Sequence, residues 1–215
     1  HFACDGPLFG VPHGANVLTN LPFLVIGLWG LLRLRSSGGF AARDGNRVGL
    51  WLSVALLAFG SGAYHRWLTP ATLAADRACI GAILAFAVAE IVGVVHPAWK
   101  RRGVTLALLG ACELSVVLWC LGATSLIYGG LQALGSLAMA WLAVRAWRGG
   151  RLSGAALRSL FLFIGFYALA KVAEVLDEPI CAWTGGFAGH PLKHLLAAAG
   201  LASLLPWLGR PTETR

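Results

Sequence analysis

The chain has 215 residues, of which 58% are hydrophobic and only 12% are charged, and its formal net charge is +8. Soluble domains average about 25% charged residues, so this composition excludes an ordinary soluble protein and predicts a membrane protein. The positive charge does not predict nucleic-acid binding, because the basic residues lie in short loops between apolar runs. No hydrophilic stretch is long enough for a second domain, so we expect residues 1–215 to form one domain.

Seven apolar runs follow one another, each close to the roughly 20 residues that a membrane-spanning helix needs. None alternates polar and apolar residues as barrel strands do. The sequence therefore predicts an all-α membrane protein, a bundle of seven transmembrane helices preceded by an extramembrane segment at residues 1–14. The predicted spans are Ala15–Leu32, Val48–Trp67, Leu73–Val94, Val104–Leu121, Ser125–Trp147, Ala156–Val175 and Pro191–Leu208.

Lysine and arginine residues are concentrated after the first, third, fifth and seventh predicted spans. By the positive-inside rule this pattern places the N-terminus outside and the C-terminus in the cytoplasm. The residues concerned are Arg33, Arg35, Arg43, Arg47, Lys100, Arg101, Arg102, Arg145, Arg148, Arg151, Arg158, Arg210 and Arg215.

Three histidines fall at one end of the predicted bundle, on the extracytoplasmic side. His65 ends the second span, and His190 and His194 stand one helical turn apart at the start of the last span. Ionisable side chains near lipid are costly and usually mark function. Three histidines with a fourth position open are a ligand set of catalytic zinc, so we expect these residues to bind Zn²⁺.

Ser61 and Asp76 belong to the same end of the bundle. Ser61 lies one turn before His65, so the two side chains share a helix face. Thr69 followed by Pro70 is typical of a helix start, which places Asp76 one to two turns into the third span. Asp76 is the candidate general base, and Ser61 is the candidate donor to a developing oxyanion.

The other ionisable residues within spans are interpreted as structural. Lys171 precedes Glu174 by about one turn, so the two charges are expected to neutralise each other. Glu90 and Glu113 are expected to be polar groups of the packing rather than parts of a site.

Four sequence segments together resemble a known family over essentially the whole chain. They read Asn16-Val-Leu-Thr-Asn20-Leu-Pro-Phe23, Gly60-Ser-Gly-Ala-Tyr-His65, Asp76 and His190-Pro-Leu-Lys-His194. This set resembles the alkaline ceramidases and, more distantly, the seven-helix membrane hydrolases that include the adiponectin-receptor-like proteins. The resemblance implies zinc on the three histidines, Ser61 and Asp76 as catalytic partners, and hydrolysis of a ceramide-like lipid amide to a fatty acid and an amine.

The cysteines divide into two groups. Cys4 precedes the first span and Cys181 lies between the sixth and seventh, so both face the oxidising side in the predicted orientation. The residues alone leave a bridge and two unpaired thiols equally open, and the resemblance favours a Cys4–Cys181 disulfide. Cys79, Cys112 and Cys120 lie inside spans and are expected to be free.

The N-terminal segment departs from the family. Its eukaryotic members carry an acidic calcium-binding cluster beginning Asp-Trp-Cys-Glu, whereas this chain reads Phe2-Ala3-Cys4-Asp5, with His13 near the position of a further acidic ligand. One carboxylate provides too few oxygens for tight Ca²⁺ binding, so we do not expect calcium here. The alanine- and arginine-rich composition and compact loops favour a bacterial inner-membrane protein.

Two other functions stay open at this stage. A zinc-stabilised receptor or transport-like protein would use the metal only to tie the second and seventh helices together, and a closed structural site would need a fourth protein ligand. An esterase or phospholipase would use the same residues as an amidase, and sequence does not separate the two.

Overall fold

The computed structural model describes residues 2–37, 44–97, 99 and 101–209, with the side chain of Arg101 left out. Arg43, Lys100, Arg210 and Arg215, used above for orientation, lie outside these residues. The described chain is helical, without β-strands, which confirms the all-α prediction. Its helices are α1 (Gly14–Leu18), α2 (Leu21–Ser36), α3 (Gly45–Trp67), α4 (Pro70–Val95), α5 (Arg101–Cys120), α6 (Leu126–Arg148), α7 (Gly154–Val175), α8 (Asp177–Thr184), α9 (Gly189–Ser203) and α10 (Leu205–Leu208).

Within the described residues, six helical segments are long and apolar enough to cross a membrane. They are Gly14–Ser36, Gly45–Trp67, Pro70–Val95, Arg102–Cys120, Leu126–Arg148 and Gly154–Val175. Large apolar side chains such as Val25 and Leu137 point outward, at 62% and 67% exposure, while Asn20 and Glu90 are buried. Apolar groups outside and polar groups inside are the arrangement expected of an integral membrane protein.

The last predicted span is shorter than these six. It consists of α9, with 15 residues, and the four-residue helix α10. Pro206 lies in the first turn of α10, where its missing N–H does no harm. Helix α9 therefore ends at Leu204, the residue between the two helices.

The predicted first span is also divided in two. Pro22 has no N–H with which to continue the hydrogen-bond ladder of α1, and the chain turns at Thr19 and Asn20. Their side chains bond back to α1, because the Thr19 hydroxyl donates to the carbonyl of Ala15 at 2.7 Å and the Asn20 amide donates to that of Asn16 at 2.7 Å. The turn places Thr19 beside α9.

The long helices enclose a common interior. Helix α2 packs on α3, α3 on α4, α4 on α5 and α6, α6 on α7, and α7 on α9, which returns to α2. The fully buried Trp51 fills the space between α3, α2 and α10, and its indole N–H donates to the carbonyl of Leu208 at 3.0 Å. A side chain at Gly30 would overlap the Trp51 ring, so only glycine permits this close approach.

A tight connection between α3 and α4 brings Ser61, His65 and Asp76 to one end. Helix α3 ends at Leu68, whose φ of +52° reverses the chain. Thr69 then begins α4, since its hydroxyl accepts from the N–H of Thr72 at 3.2 Å and the Thr72 hydroxyl accepts from the N–H of Thr69 at 3.2 Å. This confirms the predicted helix start.

The buried Glu90 has a structural partner far from the three histidines. Its Oε2 atom lies 3.2 Å from Nε of Arg47, and both side chains are almost fully buried. A buried charge is tolerated when it is paired, so the pair ties α3 to α4 near the opposite end of the bundle. The pair agrees with the interpretation of Glu90 as a structural group, which stays a prediction.

Candidate active site

His65, His190 and His194 form a buried cluster where α3 meets the start of α9. One nitrogen from each ring lies within 4.8 Å of the others, and all three side chains are buried. The closest pair is Nε2 of His65 and Nε2 of His190, 3.3 Å apart. Two imidazole nitrogens at this distance are close enough to share a proton or a cation. The cluster can therefore hold a metal ion, and the structure brings together the three histidines predicted as ligands.

Thr19 determines which nitrogen of His194 is free. The Thr19 hydroxyl lies 2.9 Å from Nδ1 of His194 and donates its single hydrogen to the carbonyl of Ala15. With its hydrogen on that carbonyl, the hydroxyl accepts from His194, and the ring proton of His194 is then on Nδ1. Nε2 is left with a free lone pair, the form that binds a metal.

Asp177 anchors the beginning of α9. Helix α9 has no hydrogen-bonding side chain at its own N-cap, Ala188, and the carboxylate of Asp177 takes that role from α8. It accepts from the backbone N–H of His190 at 2.6 Å and from that of Ala3 at 2.8 Å. One carboxylate thus orients the helix that carries two histidines and attaches the N-terminal segment to it.

The N-terminal segment covers the histidine cluster. The Phe2 ring lies with its centroid 4.2 Å from that of His190 and 4.9 Å from that of His65. A disulfide joins Cys4 to Cys181 of α8, as the family resemblance implied, with their Cα atoms 5.9 Å apart. The segment excludes water from one side of the cluster.

The single carboxylate of the N-terminal segment is already engaged. Oδ2 of Asp5 lies 2.6 Å from Nδ1 of His13, and Oδ1 accepts from the Asn16 amide at 2.8 Å. These contacts fold the segment against the start of α1. The expectation that calcium is absent stays a prediction.

Ser61 and Asp76 lie together beside the cluster. The Ser61 hydroxyl lies close to the Asp76 carboxylate, and Oδ1 of Asp76 is buried without a hydrogen-bond partner. Both residues line the same cavity as His194. A partnerless carboxylate oxygen next to a cavity is an acceptor available to a bound molecule.

The cavity has a volume of about 120 Å³ and extends from these polar groups into the bundle. Its polar end holds Ser61, Asp76 and His194. Deeper in, apolar side chains predominate, including Ile83, Phe163 and Leu201. His194 and Leu201 are two helical turns apart, so the cavity follows α9 for about 10 Å. A cavity of this kind accepts an apolar chain with a polar group at one end.

The predicted Lys171–Glu174 pair is present and has a third member. Glu174 accepts from Lys171 at 2.9 Å and from Lys193 of α9 at 2.8 Å. Lys193 lies next to His194 in the chain and was not predicted to be part of the site. Lys193 follows Glu174 by 19 residues, and only the packing of α7 on α9 brings the two side chains together. The sequence therefore carries no periodic signal of this pair.

No known family model matches this chain, and no curated protein matches it in sequence. The resemblance to the alkaline ceramidases is therefore carried by the segments quoted above and enters below as a proposal.

Proposed function

We propose that this protein is a zinc-dependent hydrolase of membrane lipid amides, similar to the alkaline ceramidases, that releases a fatty acid and an amine. One observation carries the proposal. A cluster of three buried histidines meets an apolar cavity at His194, and the same cavity wall holds a serine hydroxyl and a buried carboxylate oxygen without a partner.

The donor set fits zinc. Zinc binds imidazole nitrogens at about 2.0–2.1 Å, which in a tetrahedral site places two nitrogens about 3.3–3.4 Å apart. The 3.3 Å between Nε2 of His65 and Nε2 of His190 agrees with this value. When bound, zinc supplies Lewis acidity to the substrate carbonyl and to water.

The protein's own groups account for the proton transfers of amide hydrolysis. Asp76 takes a proton from water as the water oxygen bonds to the amide carbon, and it returns a proton to the nitrogen as the carbon–nitrogen bond breaks. Ser61 donates its hydrogen to Asp76 at rest. Once Asp76 is protonated, that hydrogen is free to stabilise the oxyanion, the role predicted for Ser61.

The cavity supports a lipid substrate. Its walls become apolar within two turns of His194, so an acyl chain can lie along α9 with its amide near the histidines. A sphingoid-type lipid with an N-acyl chain has this combination of one polar linkage and a long apolar chain.

The receptor or transport-like alternative receives less support from the cluster. A closed structural zinc site needs four protein ligands, and the cluster in the described part of the chain contains three, all histidines. Asp76 would also have no function in such a protein. Hydrolysis of an ester by the same groups is the remaining alternative.

The proposal includes a topology. Helices α9 and α10 together form the seventh crossing, so that the N-terminus lies outside, the C-terminus lies in the cytoplasm and the site lies near the extracytoplasmic face. We propose that this membrane is a bacterial inner membrane.

Cysteine accessibility tests the proposed topology. Trp183 and Arg148 are each replaced by cysteine in a Cys120→Ser background. Only the cysteine at position 183 should react with an impermeant reagent in intact cells.

A panel of lipids with matched acyl chains tests the activity. Purified protein is incubated with a ceramide, an acyl ester and a glycerophospholipid, with and without a chelator, and released fatty acid is measured. The proposal predicts metal-dependent release from the amide. Release from esters alone would favour the esterase, and no release by protein that retains zinc would favour the receptor.

A further inference from the structure

A group of uncharged polar side chains interrupts the apolar part of the cavity. Gln132, Ser136 and Tyr167 line the cavity among side chains that are mostly apolar. Gln132 is only 7% exposed, so its amide is almost sealed from the surroundings of the bundle. A buried carboxamide in apolar surroundings is costly unless its donors and its acceptor are hydrogen-bonded. The partners of this amide therefore indicate which ligand the cavity accepts.

The Gln132 amide is only half satisfied. The Tyr167 hydroxyl donates to Oε1 of Gln132, whereas Nε2, with two N–H donors, has no hydrogen-bond partner among the described residues. The Ser136 hydroxyl donates its hydrogen to the backbone carbonyl of Gln132 at 2.8 Å. The oxygens of Ser136 and Tyr167 are left as acceptors. These three residues therefore offer both donors and acceptors without charge, and a hydroxyl is the neutral group that complements both.

The position of Gln132 along the bundle sets its distance from the histidines. Helices α4 and α6 lie side by side in the same direction, since the Tyr128 hydroxyl donates to the carbonyl of Arg77 at 3.4 Å. Further along, a Cβ atom at Gly135 would lie 2.9 Å from the Leu84 side chain. Gln132 follows Tyr128 by one helical turn, about 6 Å. Its amide is thus about one turn deeper than the candidate base, which directly precedes Arg77.

We propose that Gln132, Ser136 and Tyr167 bind a hydroxyl of the lipid, which makes the substrate class an N-acyl lipid with a hydroxyl on a carbon β to the amide. This inference rests on the proposed lipid hydrolase function and deepens it. The lipid hydroxyl accepts from Nε2 of Gln132 and donates to the oxygen of Ser136 or Tyr167. A β-hydroxyl lies a few bonds from the amide carbonyl, in agreement with a separation of one helical turn.

Two parts of the lipid can supply this hydroxyl. A β-hydroxyl on the amine part is the arrangement in a sphingoid base, and a β-hydroxyl on the acyl chain presents the same chemistry from the other side of the amide. Three long-chain amides distinguish the two sources. They share every carbon atom, and the parent has no β-hydroxyl, the second has it on the amine part and the third has it on the acyl chain.

The variants remove the polar groups without opening a large space. Gln132→Met substitutes a flexible apolar side chain of similar length. Gln132→Met combined with Tyr167→Phe also removes the hydroxyl that would otherwise lose its acceptor, so this double variant should fold like wild type. Ser136→Ala removes one acceptor. Ser203→Ala is its control, because the Ser203 hydroxyl also bonds to a carbonyl of its own helix, that of Gly200 at 2.6 Å, but does not line the cavity.

Hydrolysis of the three amides is measured in phosphatidylcholine nanodiscs. We expect wild type to cleave one of the hydroxylated amides with a kcat/KM about tenfold above that for the parent, and the preferred amide identifies the source of the hydroxyl. Gln132→Met and the double variant should reduce this preference to within about twofold, because the unpaired donors are gone. Ser136→Ala should reduce it less, and Ser203→Ala should retain it. Equal rates for the three amides in wild type, or an undiminished preference in Gln132→Met, would overturn the inference while leaving lipid hydrolysis intact.

A binding measurement separates the two proposals if no amide is cleaved. The same three amides, each with a fluorescent tail, are titrated into wild type and Gln132→Met in nanodiscs. Tighter binding of a hydroxylated amide that depends on Gln132 would support the hydroxyl site even though hydrolysis had failed. Equal binding of the three amides would reject it.

Discussion

Among the residues of the site, Asp76 is the one proposed to transfer protons. Asp76→Asn keeps the size of the side chain and removes the base, so turnover should fall by about 10²–10⁴-fold. Because Asp76 lies outside the three-histidine group, the variant should keep its metal and its fold. Lipid hydrolysis, metal content and thermal unfolding of the same preparation check this. A fully active Asp76→Asn protein would contradict the mechanism.

Ser61 should contribute less than Asp76. Ser61→Ala removes the hydroxyl that holds Asp76 and that later stabilises the oxyanion, and loss of one such donor costs about 10²–10³-fold in kcat. Ser61→Thr retains a hydroxyl and is the matched control. Its turnover should lie between that of Ser61→Ala and that of wild type. Turnover that is the same in Ser61→Ala and in wild type would exclude both roles.

Thr19 should control metal affinity without touching the metal. In Thr19→Val the proton on Nδ1 of His194 loses its acceptor, and loss of such a partner typically lowers metal affinity by about 10–100-fold. Thr19→Ser retains the hydroxyl and should bind like wild type. Competition with a fluorescent zinc chelator measures both. Equal affinities for the valine and serine variants would show that Thr19 does not act on His194.

The residues of the site differ in how far sequence reveals them. His65, His190, His194, Ser61 and Asp76 were predictable because each lies within two turns of the end of an apolar run, and that position fixes its depth in a membrane. The contacts of Thr19, Asp177 and Lys193 were not, because only the folded chain brings Thr19 and Asp177 to α9 and brings Glu174 of α7 to Lys193. Thr19 lies in one of the segments that resemble the family, but its contact with His194 was not predicted.

At the element scale, the close approach of α9 to α7 and α8 positions His190. A Cβ atom at Gly189 would overlap the carbonyl oxygen of Ala173 and lie 2.9 Å from Cα of Asp177. Gly189→Ala should push the start of α9 away, at a cost of about 1–3 kcal/mol in stability. The affinity for metal should fall together with the stability, because His190 is the residue that follows Gly189.

The control for Gly189→Ala is Gly165→Ala in α7. A Cβ atom at Gly165 meets no atom within 4 Å. The unfolding temperature and the metal affinity of this variant should therefore equal those of wild type. Thermal unfolding and zinc titration of the two variants make the comparison. If both behave like wild type, the packing of α9 does not determine the metal site.

The disulfide holds the N-terminal segment over the cluster. Replacing Cys4 and Cys181 together with serine should destabilise the protein by about 2–5 kcal/mol, since the bridge closes a long loop. Cys120→Ser, which removes an exposed free thiol, should leave the unfolding temperature unchanged. Peptide mapping without reduction should recover the Cys4 and Cys181 peptides linked, and recovery of both as alkylated thiols would contradict the bridge.

The helices show what apolar runs can and cannot predict. Six predicted spans correspond to helices whose ends agree within a few residues, because a run of about 20 apolar residues has few alternatives to a helix in lipid. The turn at Thr19 and Asn20 and the break at Leu204 were not predicted. Pro22 and Pro206 follow these two points in the sequence, but hydropathy averaged over a whole run does not register a proline.

At the scale of the whole molecule, the interior of the bundle is polarised along its length. The histidine cluster, Asp76 and the two lysines of the cavity wall stand at one end, and the Arg47–Glu90 pair stands near the other. Polar groups in a membrane interior are costly, so their concentration at one end of an apolar cavity indicates a function there. The proposed lipid hydrolysis would use both the polar end and the apolar cavity.

The most direct test measures zinc and fatty-acid release on the same purified protein as the metal is removed and restored. We expect about one zinc per chain, loss of ceramide hydrolysis with the metal, and recovery of both on adding zinc. His65→Ala, His190→Ala and His194→Ala should each bind less zinc and release no acid. Hydrolysis that persists in metal-free protein, or zinc-loaded protein that releases no acid from any amide or ester lipid, would contradict it.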